Sequence, residues 1–473
     1  MGDGRKSKSA AHSKNGPTRT KKKVLDDAVD RGDDPFAVFA ARVAAGELLV
    51  PPHHLTPHDR RRHARRTLMF DHRMRLKNRP EAVQAKFEAM AASVVRFFRG
   101  TALLYYRDLA GTDADMPIVL CLGDVHPENF GVMPGVDGTP VFGPNDFDEA
   151  HFAPFTYDVK RGAVGFELAM KEAGLKKNHR LRVIEAFARG YVDALKEFSI
   201  DDREADLSMR IDNSPPIVRE LLERSMKERS AWLAKIVNIE RGTFLPTDEI
   251  VPMSSRVEDF QKAIDLYRKQ NELGAATRMT SFQVKDVALK KGSGTASLGL
   301  ERYFVLIDGP TDSPTDDVIL EMKQARPSAI TGLAPGDTAA IKNEAKRVVD
   351  AHRVHVAGGD PYYGYAELDG RPYLVRERSP LKNSLDIEDL DLDGWCEYAE
   401  VCGRVLALAH ARCDADAGIR SGDAERAILE SIDETVFASD LAEFARAAGK
   451  RIRKDWKIFK EDFRRGAFAC AVQ

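Results

Sequence analysis

The spacing of apolar residues changes period twice along this chain of 473 residues, and that switch restricts the fold to one that segregates helices from a sheet. "EAVQAKFEAMAASVVRFF" sets Val83, Phe87, Met90, Val94 and Phe98 three and four residues apart and predicts one amphipathic helix over 81–98. From about 157 to 272 the same period holds, with Val183, Phe187, Tyr191 and Leu195 on one stripe and Ser214 as the N-cap of a segment with prolines in its first turn. The pattern then turns β-rich: residues 283–309 flank a glycine-rich centre, "DDVILEMKQA" is another strand, and "YYGYAELDGRPYLVRER" is a hairpin around Asp369-Gly370. One helical stretch, "AAIKNEAKRVVDAHRVHV", interrupts this block, and the last ninety residues return to helix. The expected class is α+β with two lobes. A helical lobe spans 31–272, a small β-rich lobe 273–380, and C-terminal helices at 381–473 complete the helical lobe, after a basic segment at 1–30.

That basic segment carries eight lysines and arginines between Arg5 and Lys23 with almost nothing apolar, so it cannot offset its ordering entropy and is expected to be a disordered, solvated tail. The alternative is an arm that touches polyanions such as nucleic acid; the net charge of the whole chain, only −2, points to no such partner elsewhere. No apolar run approaches the roughly 18 residues of a membrane helix, and no apolar core follows the initial charges as a secretory signal requires. Five scattered cysteines without CxxC spacing read as reduced thiols. The expectation is a cytoplasmic protein without membrane contact.

Chemistry concentrates after "PIVLCL" (117–122), a short buried strand that runs into "GDVHPENF". A structural turn needs one or two polar residues, whereas this loop holds Asp124, His126, Glu128 and Asn129. Two apolar pieces around Pro-Gly and Asp-Gly then form a hairpin that delivers the chain to "NDFDEA" at 145–150, with Asp146 seventeen residues after Asn129. Phosphoryl transfer from a nucleotide needs such groups: a carboxylate to orient the acceptor's proton, and oxygen ligands to hold Mg²⁺ against the phosphates. Asp146 and the amide oxygen of Asn129 would supply the metal set. The plainer alternative is a capped turn. Further on, "KKGSGTASLG" offers Gly292, Gly294 and Gly299, with Ser293 and Thr295 between them, as a flexible hairpin whose backbone N–H groups can approach a triphosphate. Lys323, on the next strand in an apolar frame, is placed as a phosphate-pairing lysine; otherwise the pair is a loose turn and a solvated edge lysine.

"GDVHPENF … VFGPNDFDEAHFAPFTYDVKR" resembles the catalytic and metal loops of the aminoglycoside-phosphotransferase branch of the protein-kinase-like fold. More closely, the chain from about 35 onward resembles a large bacterial family catalogued as domain of unknown function 2252, through "FFRG", "GDVHPENFG", "NDFDEA", "GSGTASLG", "EMKQA", "RVVDAHRV" and "ALAHAR". The resemblance implies Asp124 as the catalytic carboxylate, His126 as a loop-shaping residue, Asn129 and Asp146 as Mg²⁺ ligands with Asp148 as helper, and Asp158 and Arg161 as braces. Glu344, the nearest glutamate on the following helix, is the expected partner of Lys323, with Asp350 as the alternative that the resemblance aligns with an acidic position. The glycine-rich loop and lysine follow the catalytic loop here and precede it in ordinary kinases, so the motif order implies a circular permutation. Position 148 is Asp where protein kinases have the glycine of Asp-Phe-Gly, and Leu122 stands where relatives often have His.

The function so implied is an ATP- and Mg²⁺-dependent phosphotransferase acting on a hydroxyl of a small molecule. Nucleotidylyl transfer on the same fold, or a non-catalytic ATP-binding scaffold, are the alternatives. "HPE" at 126–128 echoes zinc deaminases, but the chain lacks their Pro-Cys-x-x-Cys.

Overall fold

The structure is a computed structural model that describes residues 1, 31, 34–201, 203–273, 280–292, 299–336, 341–414 and 419–469. The basic segment expected to be a tail therefore lies, apart from Met1, outside the described residues, as do Ser293, Gly294, Thr295 and Cys470.

The N-terminal part is helical: α1 (Pro57–Asp71), α2 (Pro80–Ala92) and shorter helices at Val94–Gly100 and Ala102–Asp108. The apolar stripe expected over 81–98 is buried at every position, but the helix that carries it is broken. Ser93 is extended (φ −138°, ψ 137°), and its hydroxyl accepts the Arg96 N–H at 3.1 Å to start a second helix. A serine that caps one helix ends the one before it.

Two antiparallel ladders then nest. Strand β1 (Ile118–Cys121) pairs with β4 (His151–Pro154), and between them β2 (Phe130–Pro134) pairs with β3 (Pro140–Pro144) as the expected hairpin. The segments that join the outer pair to the inner one, 122–129 and 145–150, must therefore leave the same end of the hairpin side by side. Asn145 N–H donates to the Asn129 carbonyl at 3.1 Å and extends the ladder into both segments.

Helices α3 (Thr156–Glu172) and α4 (Lys177–Phe198) follow and form the centre of the main core with Phe166, Phe187 and Tyr191. The β-rich unit begins earlier than the expected boundary at 272/273. Strands β5 (Val237–Asn238) and β6 (Thr243–Phe244) form a small ribbon against the sheet, β7 (Ile250–Pro252) is the sheet's first strand, and α5 (Val257–Gln270) buries Phe260, Ile264 and Tyr267 on it. Among the described residues the sheet has six antiparallel strands in the order β11-β12-β10-β9-β8-β7: β8 (Val284–Lys290), β9 (Arg302–Ile307), β10 (Val318–Gln324), β11 (Gly364–Leu368) and β12 (Arg371–Glu377). At the β11–β12 turn Asp369 and Gly370 have φ of +53° and +73°, the two successive positive values that a tight hairpin requires. Helix α6 (Glu344–His355), expected in the β-rich lobe, sends Val348, Val349 and Ala351 into the main core instead.

The C-terminal helices pack into the main core. Helix α7 (Leu392–Ala411) crosses α4 at two glycines. A Cβ at Gly190 would lie 2.1 Å from the Glu400 carbonyl oxygen, and one at Gly403 would lie 2.1 Å from that of Phe187, so any side chain at either position would force the helices apart. Helix α8 (Glu434–Arg464) then packs over α3 and α4. No helix among the described residues is long and apolar enough to cross a membrane, and the cysteines described are free thiols.

Candidate functional site

Alternation along β10 separates two chemistries. Leu320 and Met322 face α5 in the apolar core of the sheet, so Ile319, Glu321 and Lys323 point to the opposite face. On that face Lys323 stands opposite Arg302 and Leu374, and Glu321 stands opposite Arg376. The Lys323 side chain is only 5% exposed, and it crosses from the sheet to the 145–150 segment of the helical body. There it forms an ion pair with Asp148, and its ammonium lies 3.8 Å from Asp146 Oδ2.

The expected partner, Glu344, is engaged elsewhere. In the first turn of α6 it accepts from Arg347 Nε at 2.8 Å, a local pair three residues apart. Arg347 in turn donates to the carbonyls of Asp148 and Arg326 at 2.9 and 3.0 Å, so α6 reaches the site through an arginine that braces the loop backbone. Asp350 pairs with Lys346.

The 145–150 segment is anchored by Glu149, which is buried between cations. Its carboxylate accepts from Arg31 at 2.6 and 2.8 Å and from the Ala329 N–H at 2.5 Å, and its carbonyl accepts from Ser328. With Glu149 pinned, the carboxylates of Asp146 and Asp148 are left facing the cleft, 40% and 29% exposed. Lys323 holds Asp146 below the usual carboxylate range against the opposing effect of burial, whereas burial and Asp146 itself push Asp148 up.

The neighbouring 122–129 segment rests on α3, where "RGAVGF" supplies two glycines. Gly162 lets Val125 approach and Gly165 lets the His126 backbone approach, each within 2.9 to 3.0 Å of where a Cβ would sit. Gly123 has φ +77°, and a Cβ there would meet the Glu149 carbonyl at 2.0 Å. Asp158 accepts the N–H groups of Leu122 and Gly123 at 2.6 and 2.9 Å and lies 3.2 Å from His410 Nε2. It is a brace, as expected. Arg161, wholly buried, donates to Asp124 Oδ1 through Nε at 3.0 Å and Nη2 at 2.5 Å. Its guanidinium lies over Phe98, Tyr105 and Tyr106, at 4.2 to 5.5 Å from the ring centres. Both bonds fall on Oδ1, which leaves Oδ2 for another partner. Burial raises the Asp124 pKa above the ordinary range in spite of Arg161. His126 Nε2 is 3.8 Å from Asp124 Oδ2, and burial first, then Arg99 and Arg161, hold the imidazole neutral. Asn129 donates from Nδ2 to the Asp124 carbonyl at 2.9 Å, and its amide oxygen accepts no bond among the described residues.

Sequence reading missed the cations around this group. Arg376 pairs with Glu321 at 2.7 Å and reaches the Asn145 carbonyl at 3.4 Å. Arg378 and Lys382 make no ion pair among the described residues. The Arg376 guanidinium first, then partial desolvation and Arg378, bring the Lys382 ammonium down to about 7. The signal available was the density of basic residues in "RERSPLK", at the end of the strand that closes the Asp369-Gly370 hairpin and just beyond it. The described ends of the glycine-rich loop, Gly292 (φ +68°) and Gly299 (φ +88°), lie at the Lys323 end of the sheet, because β8 and β9 turn there. The Gly299 carbonyl accepts from Arg79 at 3.0 Å, which ties the loop to the N-terminal helices.

Comparison with curated proteins and with solved structures found no match for the chain. A family model described as uncharacterized protein conserved in bacteria (DUF2252) matches residues 77–462 and so takes in every element that builds the cleft. The chain belongs to this family of uncharacterized bacterial proteins.

Proposed function

We propose that the chain is a phosphotransferase of circularly permuted kinase-like fold that uses ATP and Mg²⁺ to phosphorylate a hydroxyl of a small molecule. One observation carries this reading: the buried Lys323 of the sheet meets the half-buried Asp146 and Asp148 of the helical body, whose segment runs beside that of Asn129 and Asp124. The donor set suits both groups. Two solvent-reached carboxylates and an amide oxygen are the ligands that Mg²⁺ takes while keeping several waters. Lys323, Arg378 and Lys382 are cations suited to phosphate oxygens. Mg²⁺ bound there would neutralise charge on the transferred phosphoryl group.

The remaining roles fall to the chain itself. Asp124 Oδ2, unused by Arg161, faces the acceptor hydroxyl and takes its proton, and the raised pKa makes it the stronger base. Asn129 fixes the Asp124 backbone. Lys323 holds the two carboxylates, and with them the sheet and the helical body, in register until phosphates draw it away. With ATP, Mg²⁺ and a panel of small hydroxyl compounds, ADP is expected to form with at least one acceptor, and Asp124→Asn is expected to slow that formation by a hundredfold or more. Pyrophosphate in place of ADP would establish nucleotidylyl transfer instead, and nucleotide binding without any product would leave a scaffold.

The cleft also predicts a pH dependence. With a pKa near 7, Lys382 is only partly protonated in the free protein at neutral pH. A triphosphate beside it raises that pKa, so binding takes up a proton. Affinity for ATP should therefore be highest below pH 7 and fall as pH rises above it, by at most about tenfold per unit. Dissociation constants measured from pH 6 to 9 should show this slope, and Lys382→Gln should flatten it. A slope unchanged in the variant would remove Lys382 from the site.

A further inference from the structure

The net charge of −2, which by itself points to no polyanionic partner, conceals a segregation of charge. Residues 57–79 and 450–465 together carry seventeen lysines and arginines against five aspartates and glutamates, a net +12, and the remainder of the chain carries −14. The fold brings these two basic segments side by side. The first runs over α1 and the short helix Arg73–Asn78, the second over the C-terminal part of α8. Ion pairs lock them together: Arg60 with Asp455 at 2.7 Å, Arg61 with Glu461 at 3.0 Å and with Asp462, and Arg65 with Asp462 at 2.8 Å. These pairs engage every carboxylate of 450–465. Asp71 is buried on Arg31 and Arg326, so Asp59, at the start of α1, is what remains to offset the cations outside. Those cations form two rows. On α8, Lys450, Lys454, Lys457 and Arg464 are exposed at helical steps on the side away from the buried Phe459. On α1, Arg62 and Arg66 are exposed one turn apart, next to the Arg61 and Arg65 that bridge to α8. None of these six makes an ion pair among the described residues. The aromatic rings of both segments serve the cores instead: Phe70, Trp456 and Phe463 pack inward, and the Trp456 indole N–H donates to the Met90 carbonyl at 3.0 Å.

We infer that this face of α1 and α8 binds double-stranded DNA through its phosphates, without reading sequence. The charge excess asks for a polyanion, and the other features narrow the choice. Helices that lie on an anionic membrane add apolar side chains to their cations, and no large apolar side chain is exposed in either segment. Single-stranded nucleic acid is held by bases stacked on aromatic rings, and the rings here are turned inward. A duplex asks for phosphate contacts alone, and arginine and lysine supply them. From Lys450 to Arg464 the row on α8 runs about 21 Å at 1.5 Å per residue, the length of about six base pairs. Packed helices lie about 8–10 Å apart, so the two rows match the phosphates on either side of the major groove of B-DNA, about 12 Å wide. The major groove of an RNA duplex is narrow and does not offer that match. The inference is independent of the phosphotransferase reading, since none of these cations belongs to the cleft of Lys323 and Asp146.

The test is fluorescence anisotropy of a labelled DNA duplex of about 20 base pairs and arbitrary sequence, titrated with the whole chain in the absence of ATP at about 50 to 200 mM NaCl. Affinity is expected to fall steeply as salt rises. Lys454→Gln combined with Lys457→Gln, and separately Arg62→Gln combined with Arg66→Gln, should each weaken binding at the lowest salt by about tenfold or more. Each double variant should also reduce the slope of log affinity against log salt by about 2. All four side chains are exposed, so both double variants should keep the wild-type unfolding midpoint, and should one fail to fold the other decides. No binding of the duplex would overturn the inference. So would full affinity retained in both double variants, which would give the binding to the basic segment at 1–30. Tighter binding to a single strand, to an RNA duplex or to phosphatidylserine vesicles would overturn the choice of partner.

Discussion

Arg161→Leu is expected to cost about 3–5 kcal/mol of unfolding free energy, because it leaves the Asp124 carboxylate facing a buried wall with no counter-charge. The guanidinium is enclosed by Phe98, Tyr105 and Tyr106, so the arginine cannot be replaced by a neighbour and water cannot enter to take its place. The sign of the pH dependence follows. Burial already holds the Asp124 carboxyl above its unfolded value, and without Arg161 it rises further. A carboxyl whose folded pKa is raised contributes stability at low pH that is lost as pH climbs through the folded value. The variant should therefore be closest to the wild type near pH 4 and furthest from it at pH 8. Adding Asp124→Leu to Arg161→Leu removes the uncompensated charge and should recover at least half of the loss, since an apolar pair in place of a buried ion pair is close to neutral. Urea unfolding of the two single variants and the double variant measures this. A loss below about 1 kcal/mol in Arg161→Leu would mean that the pair does not hold the loop.

How much of this was legible in the sequence depends on the range over which each feature is determined. The 120–150 region was readable because its signals are local: a short apolar strand, a polar loop, turn dipeptides and a second acidic loop fix one another within thirty residues. The nesting of β2 and β3 inside β1 and β4 then follows from chain length alone. Lys323 was readable for the same reason, as a lysine in a mostly apolar strand. Long-range pairing was not. Arg376 reaches the site because β12 lies beside β10, and Lys382 because the chain leaves β12 toward Asp146. Nothing within either strand announces that neighbourhood. Glu344 went astray for the opposite reason: a local partner three residues away, Arg347, outcompeted the distant lysine, and Asp148, read only as a helper, took its place. Glu149 received no role in the reading of "NDFDEA", yet it is the residue whose burial among Arg31, Arg326 and the Ala329 N–H turns its neighbours toward the cleft. Periodicity placed the stripe of Val83 to Phe98 correctly and missed its break, because a serine inside a helical pattern is a weak signal until its hydroxyl is seen to cap Arg96.

The Gly190–Gly403 crossing belongs to the same lesson. Each glycine reads in the sequence as a small defect in a helical stripe, and only the packing of α7 on α4 shows that both are required. That contact also couples the C-terminal helices to the 122–129 segment, since His410 of α7 and Asp158 of α3 meet behind Leu122 and Gly123. The cleft is thus supported from behind by helices that enter the chain last.

The account rests on the meeting of Lys323 with Asp146 and Asp148 being a nucleotide–metal site, and thermal unfolding with ATP, in the presence and absence of Mg²⁺, tests that most directly. At a concentration a hundredfold above its dissociation constant, Mg²⁺–ATP should stabilise the folded protein by about 2.7 kcal/mol. ATP alone should give a smaller shift, because the triphosphate then meets the carboxylates of Asp146 and Asp148 with no metal ion between them. In Asp146→Ala the Mg²⁺-dependent part of the shift should vanish, judged against that variant's own midpoint. No shift with Mg²⁺–ATP in the wild-type protein, or a full shift retained in Asp146→Ala, would contradict the assignment of the cleft.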